Sequence, residues 1–214
     1  MIKAIIFDMD GLMIDSERAT FEEYGKVLKS MNLTITEEFY KTLLGKTVKV
    51  GKTLFHKEYG EDFPVDDVIK EVHIRLAERF EKYGVPVKKG LVELLEFLKK
   101  NNYKTIVATS SNRARVDKIL GQANLTEYFD DSICGDEVTN GKPNPEVFLK
   151  ACDKLGVKPN EAIVLEDSEA GILAAHNADI KVICVLDMKY PEEEYASMTY
   201  KILDSLDQII DILA

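Results

Sequence analysis

Residues 2–7 form a short, almost wholly apolar run, the pattern of a strand buried on both faces. From about residue 16 to 83 the spacing turns helical. Phe21, Tyr24, Val27, Leu28 and Met31 recur at three- and four-residue intervals, and so do Ile69, Val72, Leu76, Phe80 and Tyr83. Gly45, Gly51, Gly60 and Pro64 punctuate this stretch into about four helices. After Pro86 the chain alternates. Helical spacing at Leu91, Leu94, Leu95 and Leu98 leads to an apolar run at 104–108, then to a helix through Val116, Ile119 and Leu120 and a short strand at 132–134. A helix through Val147, Phe148, Ala151, Cys152 and Leu155, a strand at 162–165, a helix at 170–175 and a strand at 180–186 follow. Leu206, Ile209, Ile210 and Leu213 predict a last helix.

Alternation at this spacing predicts parallel βαβ units with helices on both faces of the sheet. The first strand stands apart, before the helical block. The simplest topology is a doubly wound α/β core, residues 1–14 and 85–214, interrupted after its first strand by an all-α insertion at 15–84. The segments near 12–15 and 84–86 are the expected hinges. There is no internal repeat and no low-complexity segment.

Composition narrows the class. Of 214 residues, 45% are hydrophobic and 31% charged, enough for a core and unlike a disordered chain. The apolar runs are only a few residues long, far short of the roughly 20 needed to span a bilayer. The start of the chain reaches Asp8 too soon for the apolar stretch of a signal peptide, which points to a cytoplasmic protein. Lys+Arg number 28 against 38 Asp+Glu, a net charge of −10 that repels nucleic acid and anionic membrane. An anionic substrate would need cations from the site itself. Three cysteines, Cys134, Cys152 and Cys184, lie far apart and in no ligand spacing, and read as buried apolar residues of a reducing compartment.

In doubly wound sheets, ligands bind beyond the carboxyl ends of the strands. There the sequence places Asp8-Met9-Asp10-Gly11, Thr109-Ser110-Ser111-Asn112 and Glu166-Asp167-Ser168, with Gly141-Lys142-Pro143-Asn144-Pro145 before a later helix. Any one of these reads as structural, since Asp, Asn, Ser and Gly cap helices; Ser111 and Ser168 could be caps alone. Their conjunction reads otherwise, because carboxylates crowded at one edge repel one another unless a cation lies among them. Carboxylates without His or Cys suit Mg²⁺, which takes one or two of them together with substrate phosphate oxygens. An Asp can attack phosphorus to form an aspartyl-phosphate, and a second carboxylate two residues on can protonate the leaving oxygen and then activate water. A lysine with hydroxyl and amide donors, Lys142 with Thr109, Ser110 and Asn112, can hold the phosphoryl oxygens.

With these residues in view the chain resembles the haloacid dehalogenase superfamily. Phe7-Asp8-Met9-Asp10-Gly11 is similar to its first motif and Ala108-Thr109-Ser110-Ser111 to its second. Lys142 in Gly-Lys-Pro-Asn-Pro is similar to its third, and Glu166-Asp167-Ser168-Glu169-Ala170-Gly171 to its fourth. The helical block resembles the small α-helical cap of the subgroup that contains β-phosphoglucomutase and many sugar-phosphate and nucleotide phosphatases. The resemblance implies Asp8 as nucleophile, Asp10 as general acid/base and Lys142 as the bridge to the phosphoryl group. It implies Thr109 and Ser110 as phosphoryl-binding residues. Mg²⁺ would be held by Asp8, the Asp10 carbonyl and Asp167, with Glu166 as a ligand or a partner just behind. Asp10 itself speaks against the dehalogenase branch.

The expected activity is Mg²⁺-dependent hydrolysis of a small phosphomonoester, a sugar phosphate or nucleotide-type metabolite, with no obligate protein partner. A mutase moving a phosphoryl group within a sugar phosphate is the first alternative. Thr20 and Val48 stand where the mutase carries a histidine and an arginine, which favours hydrolysis; Lys46 and Lys49 could still serve an anionic substrate. An inactive phosphate-binding module would be expected to have lost Asp8, Asp10 or Lys142. A metal-binding glycosyltransferase would need a nucleotide-sugar site that the sequence does not offer.

Overall fold

The computed structural model describes residues 1–214 and divides into two compact units, Met1–Asp15 with Val85–Ala214, and Ser16–Gly84. The first is built on six parallel strands: β1 (Ala4–Phe7), β2 (Lys104–Ala108), β3 (Asp131–Ile133), β4 (Ala162–Glu166), β5 (Lys181–Val185) and β6 (Lys201–Leu203). Their order is β3-β2-β1-β4-β5-β6, the doubly wound arrangement, with β1 central and the topological switch between β1 and β4. β1 is buried along its whole length, as its unbroken apolar run predicts.

Alternate residues serve the two faces. Ala4, Ile6, Ile106, Ala108, Val164, Val182 and Cys184 share one buried cluster with Val147, Phe148, Ala151 and Ile172, from α7 (Glu146–Leu155) and α8 (Glu169–Asn177). Ile5, Phe7, Val107, Ile163 and Leu165 are equally buried on the opposite face. There α5 (Leu91–Lys100) packs on β2, and Phe7 meets Phe129 edge-on at 5.5 Å. The strands end in register, Phe7 beside Val107 and Leu165, so the residues that follow emerge side by side.

The second unit is four helices, α1 (Ser16–Ser30), α2 (Glu37–Leu43), α3 (Val48–Tyr59) and α4 (Val65–Tyr83). Thr36 and Thr47 cap α2 and α3 through their side-chain oxygens. Phe55 anchors an aromatic core, with ring centroids 5.4 Å from both Tyr24 and Phe39 and 5.7 Å from Phe63. The expected stripes extend too far at their ends. Met31 lies beyond α1, which stops at Ser30 with Asn32 at φ 58, and Tyr83 is 75% exposed in the last turn of α4. Glu23 is buried among apolar neighbours of α1 and satisfied by Lys26 at 2.6 Å and Arg79 at 3.3 Å.

Two elements differ from the sequence-based expectation. β6 has only three residues and little burial, so its apolar signal is weak. The last helix is a 3₁₀ turn at Leu206–Ile209 followed by the single α-turn α10 (Ile210–Leu213). The remaining helices of this unit are α6 (Arg113–Gln122) and α9 (Glu193–Ala196). All three cysteines are free and buried. No helix is long and apolar enough to cross a membrane.

Candidate active site

Asp8 follows β1 directly, its amide donating to Leu165 O at 3.0 Å, which fixes it at the switch point beside β4. Lys142 Nζ donates to Asp8 Oδ1 at 2.5 Å, to Glu166 Oε1 at 2.7 Å and to Ala108 O at 3.1 Å. All three ammonium protons are therefore used, and the side chains involved are at most 11% exposed. Burial works against the charge on Lys142, yet Asp8 and Glu166 hold its pKa above the ordinary lysine value. Burial also pushes the Asp8 carboxyl up to about 7; Lys142 draws it down while Glu166 and Asp10 push it further up.

Glu166 ends β4, wholly buried. Its Oε2 accepts from the Asp167 amide at 2.9 Å, the Ser168 amide at 2.8 Å and the Ser168 hydroxyl at 2.9 Å. Both oxygens are thus occupied, one by Lys142 and one by its own turn. Ser168 is a cap as well, accepting from Gly171 N at 3.1 Å. Gly171 makes room for this carboxylate: a Cβ there would lie 1.7 Å from Glu166 Oε1.

Asp10 has different partners. Ser111 Oγ donates to its Oδ2 at 2.8 Å and Arg115 Nη2 to its Oδ1 at 2.6 Å. Ser111 is therefore not the helix cap. Asn112 is, accepting from Arg115 N at 2.9 Å, so the amide expected to bind phosphate uses its carbonyl at the start of α6. Thr109 is buried, with Oγ1 accepting from Ser111 N at 3.1 Å, whereas Ser110 is exposed and its backbone packs against Gly135. The loop carrying Lys142 is closed by Glu146, which accepts from the Thr139 and Asn140 amides at 2.9 Å each.

Sequence reasoning missed Arg115. It lies three residues past its cap, in the first turn of α6, and the acidity of the strand ends called for a second cation that could have singled it out. The arginine two residues earlier is different. Arg113 donates to Ser132 Oγ and Glu137 Oε2, both at 2.5 Å, tying the turn to the end of β3.

The residues fit a hard cation. Asp8, Asp10 and Asp167 offer oxygen only, a donor set that suits a hard divalent cation. Gly11, at φ +85, lets the Asp167 carboxylate press against the first loop, where a Cβ would lie 2.3 Å from Oδ2. Behind them the Cys184 thiol is pushed up to about 12, chiefly by burial and then by the charges of Asp167 and Glu166. Lys142 is fully committed to neutralising Asp8 and Glu166.

Comparison with known proteins identifies the family. The haloacid dehalogenase-like hydrolase family model matches residues 5–185. The chain is 33% identical over 182 residues to a phosphorylated carbohydrates phosphatase of Thermotoga maritima, covering 85% of this chain and 84% of the relative. It is 32% identical over 180 residues to a validoxylamine A 7'-phosphate phosphatase of Streptomyces hygroscopicus, covering 84% of each. Among solved structures, a haloacid dehalogenase-like protein from Agrobacterium tumefaciens superposes with a TM-score of 0.85 at 23% identity, over 100% of this chain and 98% of its own. The chain belongs to the haloacid dehalogenase-like hydrolases.

Proposed function

We propose that this hydrolase is a Mg²⁺-dependent phosphatase of small phosphomonoesters, with Asp8 as nucleophile and Asp10 as general acid/base. One observation carries the reading. Two carboxylates, two residues apart at the switch point, have separate partners and different exposure: Asp8 is buried on Lys142, and Asp10 is half-buried on Ser111 and Arg115. A strand-end Asp with a lysine to offset its charge can attack phosphorus, and the more accessible carboxylate two residues on can exchange a proton with the leaving oxygen and with water.

An Asp8 oxygen attacks phosphorus, the bond from phosphorus to the leaving oxygen breaks, and that oxygen takes the Asp10 proton. Water then attacks the phosphorus of the aspartyl-phosphate and gives a proton to Asp10, releasing phosphate and restoring the Asp8 carboxylate. Thr109 and Ser110 orient the phosphoryl oxygens. Lys142 offsets the repulsion between Asp8 and the incoming dianion, and Glu166 holds Lys142 in place. Asp8, the Asp10 carbonyl and Asp167 would hold Mg²⁺, which when bound supplies charge neutralisation at the phosphoryl oxygens.

A phosphorylated carbohydrate is the substrate class we favour, in keeping with the name of the Thermotoga maritima relative. We assign the helical unit Ser16–Gly84 the role of a cap that selects the leaving group, and the chain to the cytoplasm. Hydrolysis is favoured over the mutase reaction because Thr20 spends its hydroxyl on Ser16 O at 2.7 Å and Val48 brings no charge.

The test is phosphate release from a panel of sugar phosphates, nucleoside monophosphates and p-nitrophenyl phosphate, with Mg²⁺ and with EDTA. We expect metal-dependent release that Asp8→Asn lowers at least about a thousandfold while the variant still folds. Near-normal rates in that variant would overturn the covalent mechanism; rearranged sugar phosphates without free phosphate would establish the mutase.

A further inference from the structure

We propose that Arg115 is a positioning residue for Asp10, forming with Ser111 a two-point clamp that fixes the general acid/base carboxylate; the proposal rests on the phosphatase reading above. A carboxylate bonded through one oxygen can still swing about its terminal torsion. Asp10 is held through both, Oδ1 by Arg115 Nη2 at 2.6 Å and Oδ2 by Ser111 Oγ at 2.8 Å. Each carboxylate oxygen has about two acceptor sites, so one remains on each for a proton or a water.

The clamp has a rigid seat. Both donors come from one segment, the turn after β2 and the first turn of α6. That segment is pinned three ways. Asn112 caps Arg115 N at 2.9 Å, Arg113 ties the helix start to Ser132 and Glu137, and the Ser111 carbonyl accepts from Gly135 N at 2.8 Å. Asp10 itself lies on the loop beyond β1, more than a hundred residues away in sequence. An acid/base group must lie within hydrogen-bond reach of the proton it transfers, and a displacement of an ångström costs up to about a hundredfold. Lys142 cannot do this work, since its three donors are spent elsewhere. Stability alone does not account for the pair either. The Arg115 and Asp10 side chains are 36% and 26% exposed, a setting in which an ion pair adds little to folding.

The experiment compares Arg115→Gln, Arg115→Lys and Asp10→Asn, and Arg115→Gln combined with Asp10→Asn, in the full chain with Mg²⁺. The substrates are the best alkyl phosphate of the panel and p-nitrophenyl phosphate, whose leaving group departs without a proton. Arg115→Gln should lower kcat on the alkyl phosphate roughly ten- to a hundredfold with KM changed by less than about twofold, at an unaltered thermal midpoint. On p-nitrophenyl phosphate it should give a rapid first turnover at the wild-type rate and then slow turnover, because only the water step still needs Asp10. Arg115→Lys should recover part of the loss, and Arg115→Gln should cost nothing further once Asp10 is Asn. The clamp is overturned if Arg115→Gln raises KM at unchanged kcat, which marks a substrate contact. It is equally overturned if both phases fall together, if the losses add in the double variant, or if Arg115→Gln matches wild type while Asp10→Asn is crippled. Undiminished turnover in Asp10→Asn would instead remove the phosphatase mechanism, and the clamp with it.

Discussion

Glu166 holds Lys142 in place: Oε1 accepts from the ammonium at 2.7 Å while Oε2 is locked by three donors of its own turn. The lysine that meets Asp8 is thus positioned from β4, behind the carboxylate, and not by its own exposed loop.

Removing this cation should leave two buried carboxylates facing each other. Lys142→Ala is expected to lose turnover and, in EDTA, to be less stable by about 3–5 kcal/mol, the scale for stripping one partner from a buried ion pair. Urea unfolding with and without Mg²⁺ measures it, and the added metal should return part of the loss. A variant as stable as wild type in EDTA would mean that Lys142 does not neutralise the pair.

Gly171 offers a test in which two effects oppose. In the first turn of α8, Ala should favour the helix by at most about 1 kcal/mol. The added methyl, however, would lie 1.7 Å from Glu166 Oε1. Glu166 is wholly buried and bonded through both oxygens, so it cannot yield freely. Gly171→Ala is therefore expected to destabilise by roughly 1–3 kcal/mol and to lower kcat by displacing Lys142. Thermal unfolding with steady-state kinetics decides, and a raised midpoint would show that helix propensity wins.

Metal should stabilise the fold independently of turnover. A ligand at a hundred times its Kd adds about 2.7 kcal/mol to the native state, enough to raise the melting midpoint visibly. Asp167→Asn should shrink this Mg²⁺-induced rise, and a full rise in that variant would exclude Asp167 from the metal site. The readout is the midpoint alone, with no substrate present.

Glu146 sets an acid limit on the Lys142 loop. Hydrogen bonding from Lys150, then from the Thr139 and Asn140 amides, lowers its pKa to about 2, below the ordinary 4.5. A carboxyl depressed on folding adds stability above its unfolded value that is lost as pH falls toward the folded one. The stability gap between wild type and Glu146→Gln should therefore be full at pH 5.5 and smaller at pH 3. Urea midpoints at the two pH values check the sign; a gap that grows on acidification would contradict it.

The strand-end chemistry was legible because each motif is local. Asp8 and Asp10 lie beside one apolar run, and Glu166 with Asp167 beside another, so reading the runs as parallel strands already aims both at one edge. The same locality misled at Ser111 and Asn112. Either suits a helix start by composition, and only the turn geometry makes Asn112 the cap and frees Ser111 for Asp10. The short strand β6 and the fragmented C-terminal helix escaped a periodic reading, since three or four residues are too few to show a period.

What the sequence alone determined is the alternating α/β order, the helical insertion after the first strand and the carboxylates and lysine at the strand ends. All of these follow from hydrophobic period and neighbouring residues. The tertiary structure alone decided which charge answers which. Arg115 meets Asp10 across 105 positions and Lys142 meets Asp8 across 134, while Arg113, two residues from Arg115, is turned to Ser132 and Glu137. The reason is physical: pairing of charges depends on distance and burial between elements that the sheet brings together, and no spacing along the chain encodes those distances.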